Sequence, residues 1–205
     1  VELSQLGQFD VAERMLTESV QLSETANHDF ARAQAFGALA MMHSKRGTLD
    51  AADLFSTRAI AVAESLNNAV LKMYSAMIRL KIVLQRDRLA EAEALLAWIN
   101  AQPPVEFLRG AIEDSRARVA LARGDLDVAA AANQRALSHL ANMGTPLFMA
   151  ETLDITAQIA LARGDMSGAN QILERIESLI LPLGLPLTAI RWQDVQRLRR
   201  SLSVA

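Results

Sequence analysis

The sequence contains no cysteine, few aromatic residues and no long apolar run. The absence of Cys from its 205 residues excludes disulfide bonds and thiolate metal sites and is compatible with a reducing compartment. Aromatic residues make up 4% of the chain and hydrophobic residues 51%, which favours closely packed helices over a β-sandwich. The most apolar stretch, residues 179–187, is interrupted by Pro182, Gly184 and Pro186 and is shorter than the roughly 20 residues of a membrane span. We therefore expect a cytoplasmic protein.

The charge balance gives no support for binding to nucleic acid or to membranes. The chain carries 21 basic and 23 acidic residues, a formal net charge of -2, so no global field draws it onto a polyanion. A basic cluster near the C-terminus is interrupted by Asp194, and we interpret it as the solvated face of a last helix rather than as a phosphate site. The cluster consists of Arg191, Arg197, Arg199 and Arg200.

Motifs of the common catalytic and cofactor-binding classes are missing as well. The sequence has no Gly-x-x-x-x-Gly-Lys-Ser/Thr phosphate loop and no Gly-x-Ser-x-Gly elbow. His28, His43 and His139 are far apart, and none has a second ligand at metal-binding spacing; we interpret His43 as a half-buried structural residue. Glu91 and Glu93 lie near a predicted helix start, where the helix dipole favours acids. No catalytic residue, metal or cofactor is predicted, and we expect no enzymatic activity.

Five segments of the chain repeat with a period of about 40 residues. Their anchors are Gly7, Gly47, Asp87, Gly124 and Gly164, at spacings of 40, 40, 37 and 40. A large apolar residue follows each anchor by two places: Phe9, Leu49, Leu89, Leu126 and Met166. An alanine follows each anchor by five places: Ala12, Ala52, Ala92, Ala129 and Ala169. The alanines mark positions where two helices approach too closely for a larger side chain.

A second set of chain breaks has the same period. These breaks contain Asn27, Asn67, Pro104, Gly144 and Gly184. Two breaks in each period predict two helices in each repeat. The spacing of 37 removes three residues between Asp87 and Pro104, so the helix there should be about one turn shorter than its equivalents.

Residue types at the first break predict a tight turn between two helices. Arg46, Arg123 and Arg163 would end the first helix, where a cation suits the dipole, and the glycine that follows can close the helix in the left-handed conformation. Asp125 and Asp165 then offer acceptors for the next helix start, with Asp10, Asp50 and Asp127 slightly later. The sequence Arg-Gly-Asp occurs twice, at 123–125 and 163–165. We interpret both copies as helix turns rather than as adhesion motifs.

The repeated segments resemble the tetratricopeptide repeat. The features that carry the resemblance are Gly-Asp at the anchor, an apolar residue two places after it, alanine five places after it and a small or apolar residue twelve places after it. The twelfth place holds Ala59, Ile99, Ala136 and Ile176, and Ser19 fits weakly. The resemblance implies a single repeat domain over residues 1–205, all-α, a right-handed solenoid of about ten helices. It has four complete antiparallel pairs, a lone second helix at the start and a polar capping helix at about 187–202. We also expect the chain to be a fragment of a longer protein.

Two features leave alternatives open. Glu113 and Arg116 occupy positions that are bulky and apolar in the family, which predicts that the first helix of the fourth repeat is rotated or unusually exposed. A group of four methionines is interpreted mainly as helix core, with an adaptable binding surface as the alternative. The methionines are Met41, Met42, Met73 and Met77.

A narrower resemblance concerns the amino-acid sequences of the turns. Leu-Ala-Arg-Gly-Asp at 121–125 and 161–165, with Leu-Gly-Leu-Pro-Leu at 183–187, is similar to bacterial multidomain ATPase-type transcriptional and signalling regulators, including the maltose-activator type. In such proteins the helical repeats sense a ligand or partner and control a separate output domain. The resemblance thus implies an interaction or sensor module.

The tetratricopeptide family lines a concave face with the first helix of each pair, and its groove positions carry over to fourteen residues here. They are Gln34, Met41, Lys45, Tyr74, Met77, Lys81, Gln85, Asp114, Arg118, Glu151, Asp154, Gln158, Arg191 and Asp194. This mixed surface predicts binding of a protein or an extended peptide. A small-molecule or short-peptide inducer and a structural homodimer are the alternatives.

Overall fold

The computed structural model describes residues 6–141, 146–185 and 190–204, with the side chains of 6–141, 146–185 and 193–202. Over this part the chain is helical and contains no β-strand, which confirms the all-α fold. Its ten α-helices are α1 (Phe9–Thr25), α2 (Asp29–Arg46), α3 (Leu49–Ser65), α4 (Ala69–Gln85), α5 (Leu89–Asn100), α6 (Arg109–Arg123), α7 (Leu126–Leu140), α8 (Pro146–Ala162), α9 (Met166–Ile180) and α10 (Ile190–Val204). Short 3₁₀ turns occupy Glu106–Leu108 and Leu181–Leu183.

The helices form two compact units, one of α1 to α5 (Gln8–Leu108) and one of α6 to α10, from Arg109 onward. Within each unit, every helix packs on the next one in sequence. Alternate helices also meet: α2 contacts α4 in the first unit, and α8 contacts both α6 and α10 in the second. Each unit is therefore a solenoid-like stack of helix pairs in two layers. The single repeat domain over 1–205 stays a prediction.

The five repeat anchors lie in tight turns, each followed by a helix. Their backbone φ angles are positive, from 56° at Asp87 to 86° at Gly124, a region that glycine enters at little cost. The turn after α2 is typical: the N–H of Gly47 donates to the carbonyl of Ser44, and that of Thr48 donates to the carbonyl of His43. The apolar residue two places after each anchor is the first residue of α1, α3, α5, α7 or α9, as the repeat predicts.

The second set of breaks also agrees with the structure where it is described. Asn27, Asn67 and Gly184 have φ angles of 51°, 50° and 60°, and asparagine is among the few residues that tolerate this region. Pro104 lies in the irregular segment before the first 3₁₀ turn, while Gly144 lies outside the described residues. Helix α5 has 12 residues, against 15 or 17 in α1, α3, α7 and α9. The shorter helix is confirmed.

The recurrent small residues are buried between helices. All five alanines at the fifth place are at most 5% exposed. The residues at the twelfth place are buried too, except for Ser19, which is half-buried. Ala59, for example, lies in an apolar cluster with Phe36, Leu39 and Met42. The small side chains at the fifth place let neighbouring helices approach closely, as the repeat predicts.

Aspartates at the helix starts act in two different ways. Asp165 caps α9, because its carboxylate accepts a hydrogen bond of 2.8 Å from the N–H of Gly168. Asp125 precedes α7 but makes no such cap bond. The aspartates in the first turn of α1, α3 and α7 instead contact an arginine at or just after the end of the next helix, which is α2, α4 or α8 respectively. The pairs are Asp10 with Arg46, Asp50 with Arg86, and Asp127 with Arg163, each 36 residues apart.

Glu113 is buried, so the expected unusual exposure of the fourth repeat's first helix is wrong. Its carboxylate accepts a hydrogen bond of 2.9 Å from Arg135 of α7 and also pairs with Arg116 in its own helix. An ion pair therefore occupies a position where the repeat pattern predicts an apolar contact. The side chains of Ala117 and Ala120 pack against α7 in the usual way.

His28 and His43 contribute to local structure, and three of the four methionines are buried. His43 is buried, stacks on Phe55 with ring centroids 5.4 Å apart, and places Nδ1 2.8 Å from the hydroxyl of Thr48. Burial lowers its pKa from 6.5, and Arg46 lowers it further, although Glu13 acts in the opposite direction. His28 precedes α2 and accepts a hydrogen bond from the N–H of Ala31. Of the four methionines only Met41 is partly exposed, and it packs against an apolar cluster.

Candidate partner-binding surfaces

The fourteen predicted site residues fall into two sets of seven, one in each unit. The first set lies on α2 and α4, and the second lies on α6, α8 and α10. All of these helices belong to the first layer of their unit, the layer in which alternate helices contact one another. We describe the two sets separately.

In the first unit, only part of the predicted set is accessible to a partner. Gln34 and Gln85 are exposed, and Tyr74 is 43% exposed. Met41, Lys45 and Lys81 are half-buried. Met77 is buried in the core, so it offers no surface, and its assignment as a binding residue is wrong. The hydroxyl of Ser44 donates a hydrogen bond of 2.7 Å to Gln85, which links α2 directly to α4.

Two apolar residues outside the fourteen predicted positions extend this set. Phe30 lies four residues before Gln34 on α2, and Val70 lies four residues before Tyr74 on α4, so each shares a helix face with its neighbour. Their exposed fractions are 42% and 39%. The signal that could have found them is their spacing, which is 40 residues, one repeat period.

We call the resulting surface the N-terminal face. It combines large apolar side chains at the N-terminal ends of the two helices with polar and cationic side chains toward their C-terminal ends. Its members are Phe30, Gln34, Met41 and Lys45 of α2 with Val70, Tyr74, Lys81 and Gln85 of α4. Grouped exposed apolar residues with a polar border are characteristic of protein interaction sites.

In the second unit, the predicted residues form an ion-pair network centred on Arg118. Its guanidinium donates to Asp114 in the same helix, at 2.9 and 3.3 Å, and to Glu151 of α8 at 3.2 Å. On the next turn of α8, Asp154 accepts a hydrogen bond of 2.7 Å from Gln158. The network therefore connects α6 to α8.

Helix α10 completes this network through Arg197. Its Nη2 lies 2.8 and 2.9 Å from the two carboxylate oxygens of Asp154 and 3.5 Å from Asp194. Arg197 belongs to the basic cluster that was expected to be solvated. It is an exposed residue, but its ion pair with Asp154 connects α10 to α8. Arg199 similarly pairs with Glu177 of α9. The side chain of Arg191 lies outside the described residues.

Electrostatics hold the Arg118 network together. Burial acts to lower the pKa of Arg118, but the carboxylates of Asp114 and Glu151 outweigh it, and the pKa lies above its ordinary value. Asp114 and Asp154 are themselves buried. These charges are already hydrogen-bonded to one another, so a partner would have to replace existing contacts to engage them. The network is better suited to holding three helices than to capturing a ligand.

The described side chains show no arrangement that would hold a metal: no group of three or more His, Asp or Glu residues is suitably placed among them. None of the helices searched in this part of the chain has both the length and the apolar character needed to cross a membrane.

Comparison with known proteins identifies the class of fold. The chain resembles the crystal structure of BtubC (BKLC) from P. vanneervenii, with a TM-score of 0.59 and 16% sequence identity over 86% of this chain and 75% of that chain. At this identity the likeness concerns the fold alone. No protein-family model and no curated protein matches the sequence. The chain is thus an all-α protein of consecutively packed helix pairs.

Proposed function

We propose that this protein is a non-catalytic interaction module that binds a segment of a partner protein on the N-terminal face. The observation that carries the proposal is the exposure of Phe30, Val70 and Tyr74, between 39% and 43%, on two adjacent helices that pack against each other. Large apolar and aromatic side chains surrounded by polar groups supply most of the affinity at protein interfaces.

The charges and polar groups of the face define the kind of segment that fits it. Lys45 and Lys81 lie toward the C-terminal ends of α2 and α4, while Gln34 and Gln85 offer amide donors and acceptors. A segment with two or more apolar side chains followed by acidic or polar residues would satisfy both ends of the face. We further propose that the protein is a sensor or interaction region of a bacterial signalling or transcriptional regulator. This proposal is supported by the resemblance of the turn sequences to those of such regulators.

A peptide-display selection against the purified chain tests the proposal. Selected peptides should share apolar side chains at a fixed spacing, and their affinity should fall at least about tenfold for the double variant Phe30→Ser, Tyr74→Ser. Leu54→Ser is the matched control, because Leu54 is an exposed apolar residue of α3 outside the face. It should leave the affinity unchanged.

Three outcomes would reject the assignment. Equal binding by the double variant and by the control would place the peptides elsewhere on the molecule. Stabilisation by sugars in a thermal-shift screen, with no peptide selected, would favour the small-molecule receptor. Concentration-dependent association in light scattering, abolished by the double variant, would favour the homodimer.

A further inference from the structure

Helix α1 carries an apolar stripe with no helix on it in the described structure. Met15 and Leu22 are 56% and 63% exposed, and Val11 is exposed as well. These residues lie at i, i+4 and i+11, which places them within about 40° of one another around the helix. The opposite flank of α1 packs normally, since Ala12, Leu16 and Val20 contribute to the cluster shared with α2. We call Val11, Met15 and Leu22 the α1 stripe.

The repeat shows what normally covers this stripe. Phe55 and Val62 of α3 lie 40 residues after Met15 and Leu22, and both face α2, the helix that precedes α3. Phe55 stacks on Phe36 with a centroid distance of 6.1 Å, and Val62 packs in the cluster that contains Ala33. In α3 the positions equivalent to the α1 stripe therefore pack on the first helix of the pair.

The second unit repeats the arrangement. Ile172 and Leu179 of α9 occupy the same two positions, 157 residues after Met15 and Leu22. Both pack against an apolar cluster to which the preceding helix α8 contributes Leu153. Second helices in both units therefore use these positions to contact the helix before them, and in α1 the same positions are exposed.

The turn before α1 gives an independent indication. Gly7 has a φ of 76°, and the helix starts two residues later at Phe9. Gly47, Gly124 and Gly164 have φ angles of 84°, 86° and 75° and follow α2, α6 and α8 in the same way. In those three turns the left-handed glycine closes the first helix of a pair and leads into the second.

We propose that the α1 stripe is the packing surface for a first helix of the same polypeptide, of the α2 type, that reaches α1 through the Gly7 turn. The face of such a helix would present an aromatic or large aliphatic residue to Met15 and a small residue to Leu22, as Phe36 and Ala33 of α2 do toward α3. A stack of helix pairs is stabilised mainly by such contacts between neighbours.

A chimera provides the test. Residues 1–6 are replaced by a copy of residues 26–46, so that a second α2 precedes Gly7 as α2 precedes Gly47. Because the chain has no cysteine, Met15→Cys and Leu22→Cys each introduce a single thiol whose labelling rate reports exposure. In the chimera both rates should fall at least about tenfold, which corresponds to an opening free energy of about 1.4 kcal/mol.

Two controls make the result specific. Leu54→Cys lies on α3 outside the stripe and is 49% exposed, so its labelling rate should not change. A chimera whose added helix carries Asp at the copied Phe36 position should lose the protection. A free peptide of the α2 sequence, added to the unextended chain, makes the same comparison if the chimera does not fold.

Unchanged labelling of both cysteines in the folded chimera, or with saturating peptide, would overturn the proposal. Protection that appears in the unextended chain and increases with its concentration would also overturn it, because a second copy would then cover the stripe. Neither result depends on whether the N-terminal face binds a peptide.

Discussion

Enlarging a small residue of the repeat should lower the free energy of unfolding where that residue is buried and leave it nearly unchanged where the residue is exposed. Ala59 of α3 is buried among Phe36, Leu39 and Met42, and leucine would add three carbon atoms to that closely packed site. Overpacking of this kind costs about 1–3 kcal/mol of unfolding free energy. Ala61, two residues further along the same helix, is exposed.

Ala61→Leu is therefore the matched control. Alanine and leucine have similar helix propensities, so this variant should stay within about 0.5 kcal/mol of the parent. Urea unfolding measures the difference: with an m value of about 2 kcal/mol/M, Ala59→Leu should lower the midpoint by about 0.5–1.5 M. The fluorescence of Trp98 in α5 follows unfolding of the first unit if Trp192, the second tryptophan of the chain, is replaced by Phe. Equal midpoints for the two leucine variants would refute the close-packing explanation of the repeated alanines.

Three other residues give further tests. Arg79 of α4 contacts Asp53 and Glu91 at 3.0 and 2.8 Å, so Arg79→Met should lower the unfolding free energy in urea by about 1–3 kcal/mol. Burial holds the pKa of His43 below 6.5. Because the unfolded chain therefore binds this proton at a higher pH than the folded chain does, the stability present above about pH 6.5 is lost as the pH falls. His43→Phe should reduce the loss of melting temperature between about pH 7.5 and pH 5, and an unchanged loss would contradict this. Gly47→Ala should cost about 1–2 kcal/mol in thermal or urea unfolding because φ is positive, and Gly47→Asn should cost less.

Much of the fold could be predicted because its determinants are local. A left-handed turn favours glycine, asparagine or aspartate at one position, and Gly47, Asn67 and Asp87 meet that requirement wherever the rest of the chain lies. Helix length follows in the same way from the distance between turns, which is why the three residues missing after Asp87 shorten α5. Repetition strengthened these predictions, since each was made several times in one sequence.

The candidate sites depend on helix rotation and on partners far along the chain, which local patterns do not encode. Glu113 looked misplaced because its partner Arg135 lies 22 residues away on another helix. Met77 shares a helix with Tyr74, but a rotation of about 60° between positions three apart moves it from the face into the core. The groove positions taken from the family therefore included Met77, whose side chain is buried.

The exposed faces of α1 and α10 differ in polarity, and this difference leads to a last prediction. Leu153 of α8 is buried against α9, and Gln193 of α10 lies 40 residues after it; likewise Ala160 is followed by Arg200. At both of these positions α10 is polar, in contrast to the apolar α1 stripe. Polar residues at such positions oppose the packing of a further helix.

Replacing that polarity should make the chain associate with itself. The variant Gln193→Leu, Arg200→Ala would present on α10 the kind of face that the α1 stripe packs against, so one copy could receive α1 of the next. Such a head-to-tail contact does not close and should give a mass that grows with concentration in light scattering. Adding Met15→Lys should return the mass to that of the parent chain. A double variant whose mass matches the parent at every concentration would show that the polarity of these two positions is not what prevents the association.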